Sequence, residues 1–477
     1  MLILFLFILI YFILFSYLSI FRLYSFGSHY YDLGIMHQVV YNTFKGDFLQ
    51  FTNPHKIASS LQASEFNLQG LEEINNLRLA VHSDPILALL SPFYFIWSGP
   101  ETLLVLQSFI TALGAFFVFK IAKLVLKKQL LAILFASLYL SFYPLHFANL
   151  FDFHAVVFSP TLLLGGVCYL LKENFKLNFK ALLFLFLASL TKENVIAVVF
   201  LIFLWAFWRS RKKIYLALAA GAFLYFVFVV KFVIPYFAGG SFFGGKYYTF
   251  SPSENLRRFF SKSSLDYFKN IFSPLFFVPF LSPTNLIFGF SEILKNTLSS
   301  NENMRNLYFH YSSALFPSLF ISSIFAVSKM RSYNFKKILL FALVFYNLIL
   351  TFQKGPFSYF FKKYRIDWER LEVVKQLSEK YSDYNLALSS TGQIAPFFAG
   401  RKIFVDFLFD PAFSQVGYSK DDIIKRAEKY KLADVVVIAA WEIQGELSNY
   451  YYKKLKQDKD YKLVYKNSGI EVYERKK

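Results

Sequence analysis

Ala181–Trp205 reads ALLFLFLASLTKENVIAVVFLIFLW. Two apolar arms flank Thr191–Asn194, and Lys192 and Glu193 are the only ionisable side chains in the stretch. Basic loops bound it on both sides: Lys172, Lys176 and Lys180 before it, RSRKK at 209–213 after it. Loops rich in Lys and Arg stay on the cytoplasmic side of a membrane. Both ends of the segment therefore lie on one side, and the segment must turn back on itself. The natural break is TKEN. A broken backbone at membrane depth is tolerated only where it lies within protein or lines a cavity. This stretch thus predicts a helical membrane protein with a polar interruption facing inward.

The whole chain agrees. Of its 477 residues 56% are hydrophobic, 21% aromatic and only 17% charged, with mean hydropathy +0.41. Soluble domains carry about 25% charged residues. The apolar runs are continuous rather than alternating, which predicts helices and argues against a β-barrel. The net charge of +20 is explained by cytoplasmic loops. The basic runs lack interleaved base-stacking aromatics, so no nucleic-acid partner is expected. The single cysteine, Cys168, excludes an internal disulfide and a cysteine-based metal site. Residues 1–21 lack a basic leader and a small-residue cleavage site, so an uncleaved first span is expected.

Further basic clusters at Lys123, Lys127 and Lys128 and at KMRSYNFKK, 329–337, set the parity of the other segments. Spans are expected at 1–21, 101–121, 130–147, 155–171, 214–237, 310–328 and 337–353. The 180–208 segment forms a hairpin, and 270–281 with 284–297 reads as another. The total is about eleven spans, with a cytoplasmic N-terminus. The run at 85–97 is too short to cross and reads as a re-entrant or interfacial helix. The predicted organisation is a transmembrane domain over 1–354, with a large first outer loop at 22–100, and a soluble extracytoplasmic α/β domain over 355–477. In that domain strands are expected in YNLALSS (384–390), GRKIFVDF (400–407) and ADVVVIAA (433–440). A helix is expected over 419–430, and a hairpin with an Asn-Ser-Gly turn over 462–475.

The parity places the histidines, His29, His37, His55, His82, His146, His154 and His310, at or beyond the outer boundary. Asp32, Asp47, Asp84, Asp152 and Asp266 fall there too. Polar groups in or near spans are costly and often functional. Asp32, between His29 and His37, is either a loop carboxylate capping the next helix or a general base for an acceptor hydroxyl. Asp84 precedes Pro85 as a natural N-cap, and His82 lies beside it. Asp152 and His154 form an Asp-x-His pair, half of a metal site or a satisfied loop pair. Lys192 and Glu193 neutralise each other, or hold a phosphate and a metal. Lys231 snorkels or joins the site. His310 and Tyr311 open a span from the outside.

The segments YDLGIMHQVVYNTFKGDFL, HSDPILALLSPFY, ETLLVLQSFITALGAFFVFKIAK, FDFHAVVFSP, LASLTKENVIAVV and FHYSSALFPSLF occur in this order. Together they resemble a prokaryotic membrane-protein family, domain of unknown function 2079, over roughly residues 20–475. That family in turn resembles the GT-C superfamily of membrane glycosyltransferases. The resemblance implies a sugar donor on a polyprenyl phosphate, Asp32 as acceptor base and Asp152 in the second acidic motif. Glu193 corresponds loosely to a later acidic ligand. The superfamily's paired acids read here as Asp32-Leu33 and Asp152-Phe153-His154.

The function expected is an inverting membrane glycosyltransferase. It would move a sugar from the lipid donor to an envelope acceptor on the outer face of the cytoplasmic membrane. Lys192, Lys231 or a divalent metal (Mg or Mn) on Asp152, His154 and Glu193 would steady the leaving phosphate. His29, His37, His82, Asp84, His310 and Tyr311 would line the substrate. The competing readings are a flippase or transporter of a lipid-linked molecule and a non-catalytic envelope protein.

Overall fold

The computed structural model describes residues 1–53, 75–240, 242–408 and 428–476. His55 and most of the expected 419–430 helix lie outside the described residues. The chain makes two compact units. The first comprises Met1–Ser19, Leu79–Ile86 and Leu104–Lys363; the second comprises Ile20–Arg78, Leu87–Leu103 and Tyr364–Lys477.

Among the described residues, 7 helices are long and apolar enough to cross a membrane: Leu2–Tyr24, Glu101–Leu126, Ala155–Lys172, Glu193–Ser210, Ile214–Ala238, His310–Lys329 and Tyr333–Gln353. The Gln129–Ser141 and Tyr143–Leu150 helices meet at 46° and make up to 8 if taken as one bent span. Pro144 explains the bend, because it has no N–H to continue the ladder. The Leu140 carbonyl instead accepts a hydrogen bond from His146 Nε2 at 2.6 Å.

The expected count of about eleven therefore falls. The 270–281 and 284–297 hairpin is not a pair of spans. Pro274, Pro279 and Pro283 start the short turns Ser273–Leu275, Val278–Leu281 and Pro283–Leu286. The first longer helix after them is Phe290–Leu298. Pro85–Phe95 is a 3-10 helix of 11 residues, rising about 22 Å, which is short of the ~30 Å hydrocarbon core.

The spans differ in what they face. Ala155–Lys172 and His310–Lys329 are each 83% buried, whereas Ile214–Ala238 is 17% buried. The first two form the core of their unit. The last turns Leu224, Phe228 and Phe232 outward, as a lipid-facing helix does. The TKEN break forms where expected: Phe179–Ser189 ends, Lys192 is extended at φ −173°, and Glu193 begins the next helix.

The second unit holds a five-stranded sheet in the order β4-β3-β5-β7-β6. The strands are β3 (Leu388–Ser390), β4 (Phe404–Asp406), β5 (Val435–Ala439), β6 (Tyr461–Asn467) and β7 (Ile470–Arg475). They are numbered after the antiparallel pair β1 (Gln50–Thr52) and β2 (Asn75–Leu77). Strand β3 pairs parallel with both β4 and β5, and β7 pairs antiparallel with β5 and β6. Strand β5 is buried along its whole length, which accounts for its unbroken apolar sequence. The β6–β7 turn places Ser468 at φ 49° and Gly469 at φ 78°, the two-residue left-handed turn that the Asn-Ser-Gly sequence favours.

The sheet is tied to the first loop through Gln38. Its Nε2 donates to Thr52 Oγ1 (3.0 Å) and to the Arg401 carbonyl (3.1 Å). Thr52 Oγ1 in turn accepts from the Phe404 N–H at 3.0 Å.

Candidate functional site

In the first unit the TKEN break gathers several of the expected residues. Glu193 is buried at the first turn of its helix, where the helix dipole favours a carboxylate. Its Oε1 lies 3.0 Å from His82 Nδ1, and its Oε2 accepts the Ser83 N–H at 3.0 Å. Both carboxylate oxygens are thus engaged by the HSDP segment. Asp84 in that segment is buried as well.

Lys192 Nζ lies over the Tyr311 ring, 5.9 Å from its centroid. Tyr311 packs at 4.5 Å on His310, and His310 stacks on His154 with 3.6 Å between centroids. Both histidines are buried. Neither ring nitrogen of His310 has a hydrogen-bond partner among the described residues. His82, His154, Lys192 and Lys295 all lie within electrostatic reach of it. A buried polar ring without partners calls for a ligand or water.

Asp152 is buried with its backbone at φ 147°, a conformation few non-glycine residues adopt. Gln107 holds the loop in place. Its Nε2 donates to the carbonyls of Asn149 (2.9 Å) and Asp152 (2.8 Å), and its Oε1 accepts the His154 N–H at 2.9 Å. Strained positions clamped in this way are common at functional sites.

Residues not singled out from the sequence complete the cluster. Lys295 Nζ bonds Glu292 Oε2 at 2.7 Å and the Tyr311 carbonyl at 2.9 Å, and Asn194 Nδ2 donates to Glu292 Oε1 at 2.7 Å. The one available signal was the Glu–Lys pair at i,i+3 in FSEILKN, inside an otherwise apolar region.

The expected metal cage does not assemble. Among the described residues no three His, Cys, Asp or Glu side chains come together as ligands, and Glu193 is already committed to His82 and Ser83. Lys231 is exposed on the π-helical turn Val229–Val233.

The second unit holds Asp32, His29 and His37. Asp32 lies half-buried in a π-helical turn, Tyr30–Gly34, a rare geometry enriched at functional sites. His37 is buried, with Nδ1 2.8 Å from Tyr94 Oη. Burial, with the nearby Arg401 charge, pushes its pKa down to about 3. It is therefore neutral at physiological pH, with Tyr94 as its polar contact. His29 stacks on Tyr31 at 5.8 Å.

Comparison with solved structures finds the same fold in ArnT from Cupriavidus metallidurans. The crystal structure bound to undecaprenyl phosphate has a TM-score of 0.55 and 11% identity, and the match covers 98% of this chain and 97% of that one. The apo structure has a TM-score of 0.55 and 12% identity, with 93% of each chain covered. No curated protein matches the sequence. Apolar spans around buried polar clusters, together with a small α/β sheet, make this a multi-pass membrane protein with the fold seen in ArnT. Residues 22–472 match the family described as Predicted membrane protein (DUF2079). The chain belongs to that family.

Proposed function

We propose that the protein is an integral membrane glycosyltransferase. It transfers a sugar from a polyprenyl-phosphate-type lipid to an acceptor of the cell envelope. The observation that carries this reading is the buried His310 ring, unpartnered among the described residues and stacked on His154, with Lys192 and Lys295 close by. Such a group of cationic and hydrogen-bonding side chains in a low-dielectric setting suits a phosphate. The fold shared with a protein crystallised with undecaprenyl phosphate supports it.

In this reading the donor phosphate is held by Lys192 and the His154–His310 pair. These groups balance the charge that builds on the phosphate as the sugar leaves. Asp32, in the second unit, is the expected acceptor base, taking the hydroxyl proton in an inverting transfer. Glu193 keeps His82 in position. No metal is assigned a step. The reaction face is the outer face of the cytoplasmic membrane, with the basic loops inside.

The test uses the full chain in lipid nanodiscs with a polyprenyl-phosphate sugar pool and envelope acceptors, together with envelope glycan analysis of a deletion strain. Transfer should occur, and both Asp32→Asn and His310→Phe should abolish it at normal protein levels. Unchanged glycans in both variants would sink the reading, and lipid translocation without transfer would mark a flippase. Orientation is tested separately: a Lys172→Cys label reachable only from the cytoplasm is expected.

A further inference from the structure

Strands β4, β3 and β5 run parallel, so their carboxyl ends open on one edge. The chain leaves β3 for β4 on one side and then returns to β5 on the other. Between β3 and β5 the connections diverge, and in open α/β sheets ligands sit at this point, outside the carboxyl ends.

Here that edge is polar and built. After β3 come Thr391, Gly392 and Gln393; β4 ends on Asp406; Glu442 follows β5. The Gln393 N–H donates to Glu442 Oε2 at 3.0 Å, and Gln393 Oε1 accepts from Trp441 Nε1 at 3.0 Å. Asp406 Oδ2 accepts from Tyr31 Oη and from Lys429 Nζ, each at 3.4 Å. Glu442 Oε1 is buried and has no hydrogen-bond partner among the described residues.

The turn that carries Asp32 is fastened to the same edge. The Tyr30 N–H donates to the Gly392 carbonyl at 3.0 Å. A Cβ on Gly392 would collide with the His29 ring, so glycine is what lets the turn approach so closely. Thus Glu442, Asp406, Gln393, His29 and the Asp32 turn share one polar edge.

The donor–acceptor inventory selects the ligand. Two carboxylates and an amide favour a partner that donates hydrogen bonds from several hydroxyls, and they repel an anion. Lys429 offsets one of the two negative charges. We propose that this edge binds the acceptor, and that the acceptor is a neutral polyhydroxylated glycan held through its hydroxyls by Glu442, Asp406 and Gln393. The ligand's role as acceptor rests on the transferase reading; its chemistry does not. Burial raises the Glu442 pKa to about 7, with Thr391, the Gln393 N–H and His29 opposing and Asp406 adding. The carboxylate therefore ionises near neutrality, and its binding to hydroxyls strengthens as it does.

The test measures binding without donor. Glycans released from the envelope of the source cells are separated into neutral, acidic and amine-bearing fractions and passed over the full chain in nanodiscs. A neutral fraction should be retained, and Glu442→Gln and Gln393→Ala should each weaken its retention about tenfold, the loss of one strong hydrogen bond. Failure to retain any neutral fraction overturns the proposal, as does preference for the acidic or amine-bearing fraction. Retention that neither variant changes also overturns it. Intact glycan binding with no sugar transfer would count against the transferase reading alone; intact transfer with binding unmoved by either variant would count against this proposal alone.

Discussion

Replacing Glu442 with glutamine should stabilise the sheet of the second unit above neutral pH. The carboxyl is pushed from 4.5 up to about 7, chiefly by burial. The folded state therefore holds this proton more tightly than the unfolded state. The group's stabilising contribution is fully present below pH 4.5 and is lost as pH rises to about 7. One pKa unit corresponds to about 1.4 kcal/mol, so the shift sets an upper bound of about 3 kcal/mol. Relaxation and partial exposure reduce that to about 1–2 kcal/mol at pH 8. Glutamine has the same shape and does not ionise. Hydrogen exchange of the β5 amides, Val435–Ala439, reads the local stability directly. Parent and variant should exchange alike at pH 5, and the variant should exchange about tenfold more slowly at pH 8, after correction for intrinsic rates. Equal protection at pH 8, or faster exchange in the variant, would refute the reasoning. A carboxylate that costs stability and is nonetheless present fits a binding role better than a packing role.

His37 acts in the opposite pH direction. Its folded pKa of about 3 lies below the ordinary value of 6.5, so the stability it confers is present above pH 6.5 and is lost as pH falls through about 3. His37→Asn should flatten the acid limb of an unfolding profile, and an unchanged limb would refute the assignment. At Asp152, glycine would relieve a backbone penalty of about 1–3 kcal/mol; Asp152→Gly should lose transfer, and a variant with normal transfer would remove Asp152 from the site. Gly392→Ala should drive His29 from its place, because the new Cβ meets the ring. Crosslinking or exchange at residues 29–32 should report a displaced turn, whereas an undisturbed turn would contradict the packing described.

The membrane class was legible because it depends on hydrophobic length and charge alone. TKEN could be read as a break for the same reason: two ionisable residues inside an apolar run have a local cost that no partner need be known to see. The Asn-Ser-Gly hairpin was equally local, since the turn geometry follows from its own residues. The stretch at 270–297 was misread because hydropathy counts apolar side chains, whereas Pro274, Pro279 and Pro283 decide whether the backbone can continue a helix.

The candidate site was legible only as residue types. Local sequence could nominate Glu193, His154 and His310, but it could not show that Glu193 bonds His82 across 111 positions or that His154 stacks on His310. Asp406 and Glu442 carry no local signal that sets them apart from other acids of the C-terminal region. Their common position at the sheet edge comes from parallel strand pairing, and a glycine admits His29 beside them. The sequence by itself determined that the chain is a helical membrane protein, because solvation is a property of each segment. Only the tertiary structure decided which polar groups are buried together, because burial and hydrogen-bond partners come from residues far apart in the chain.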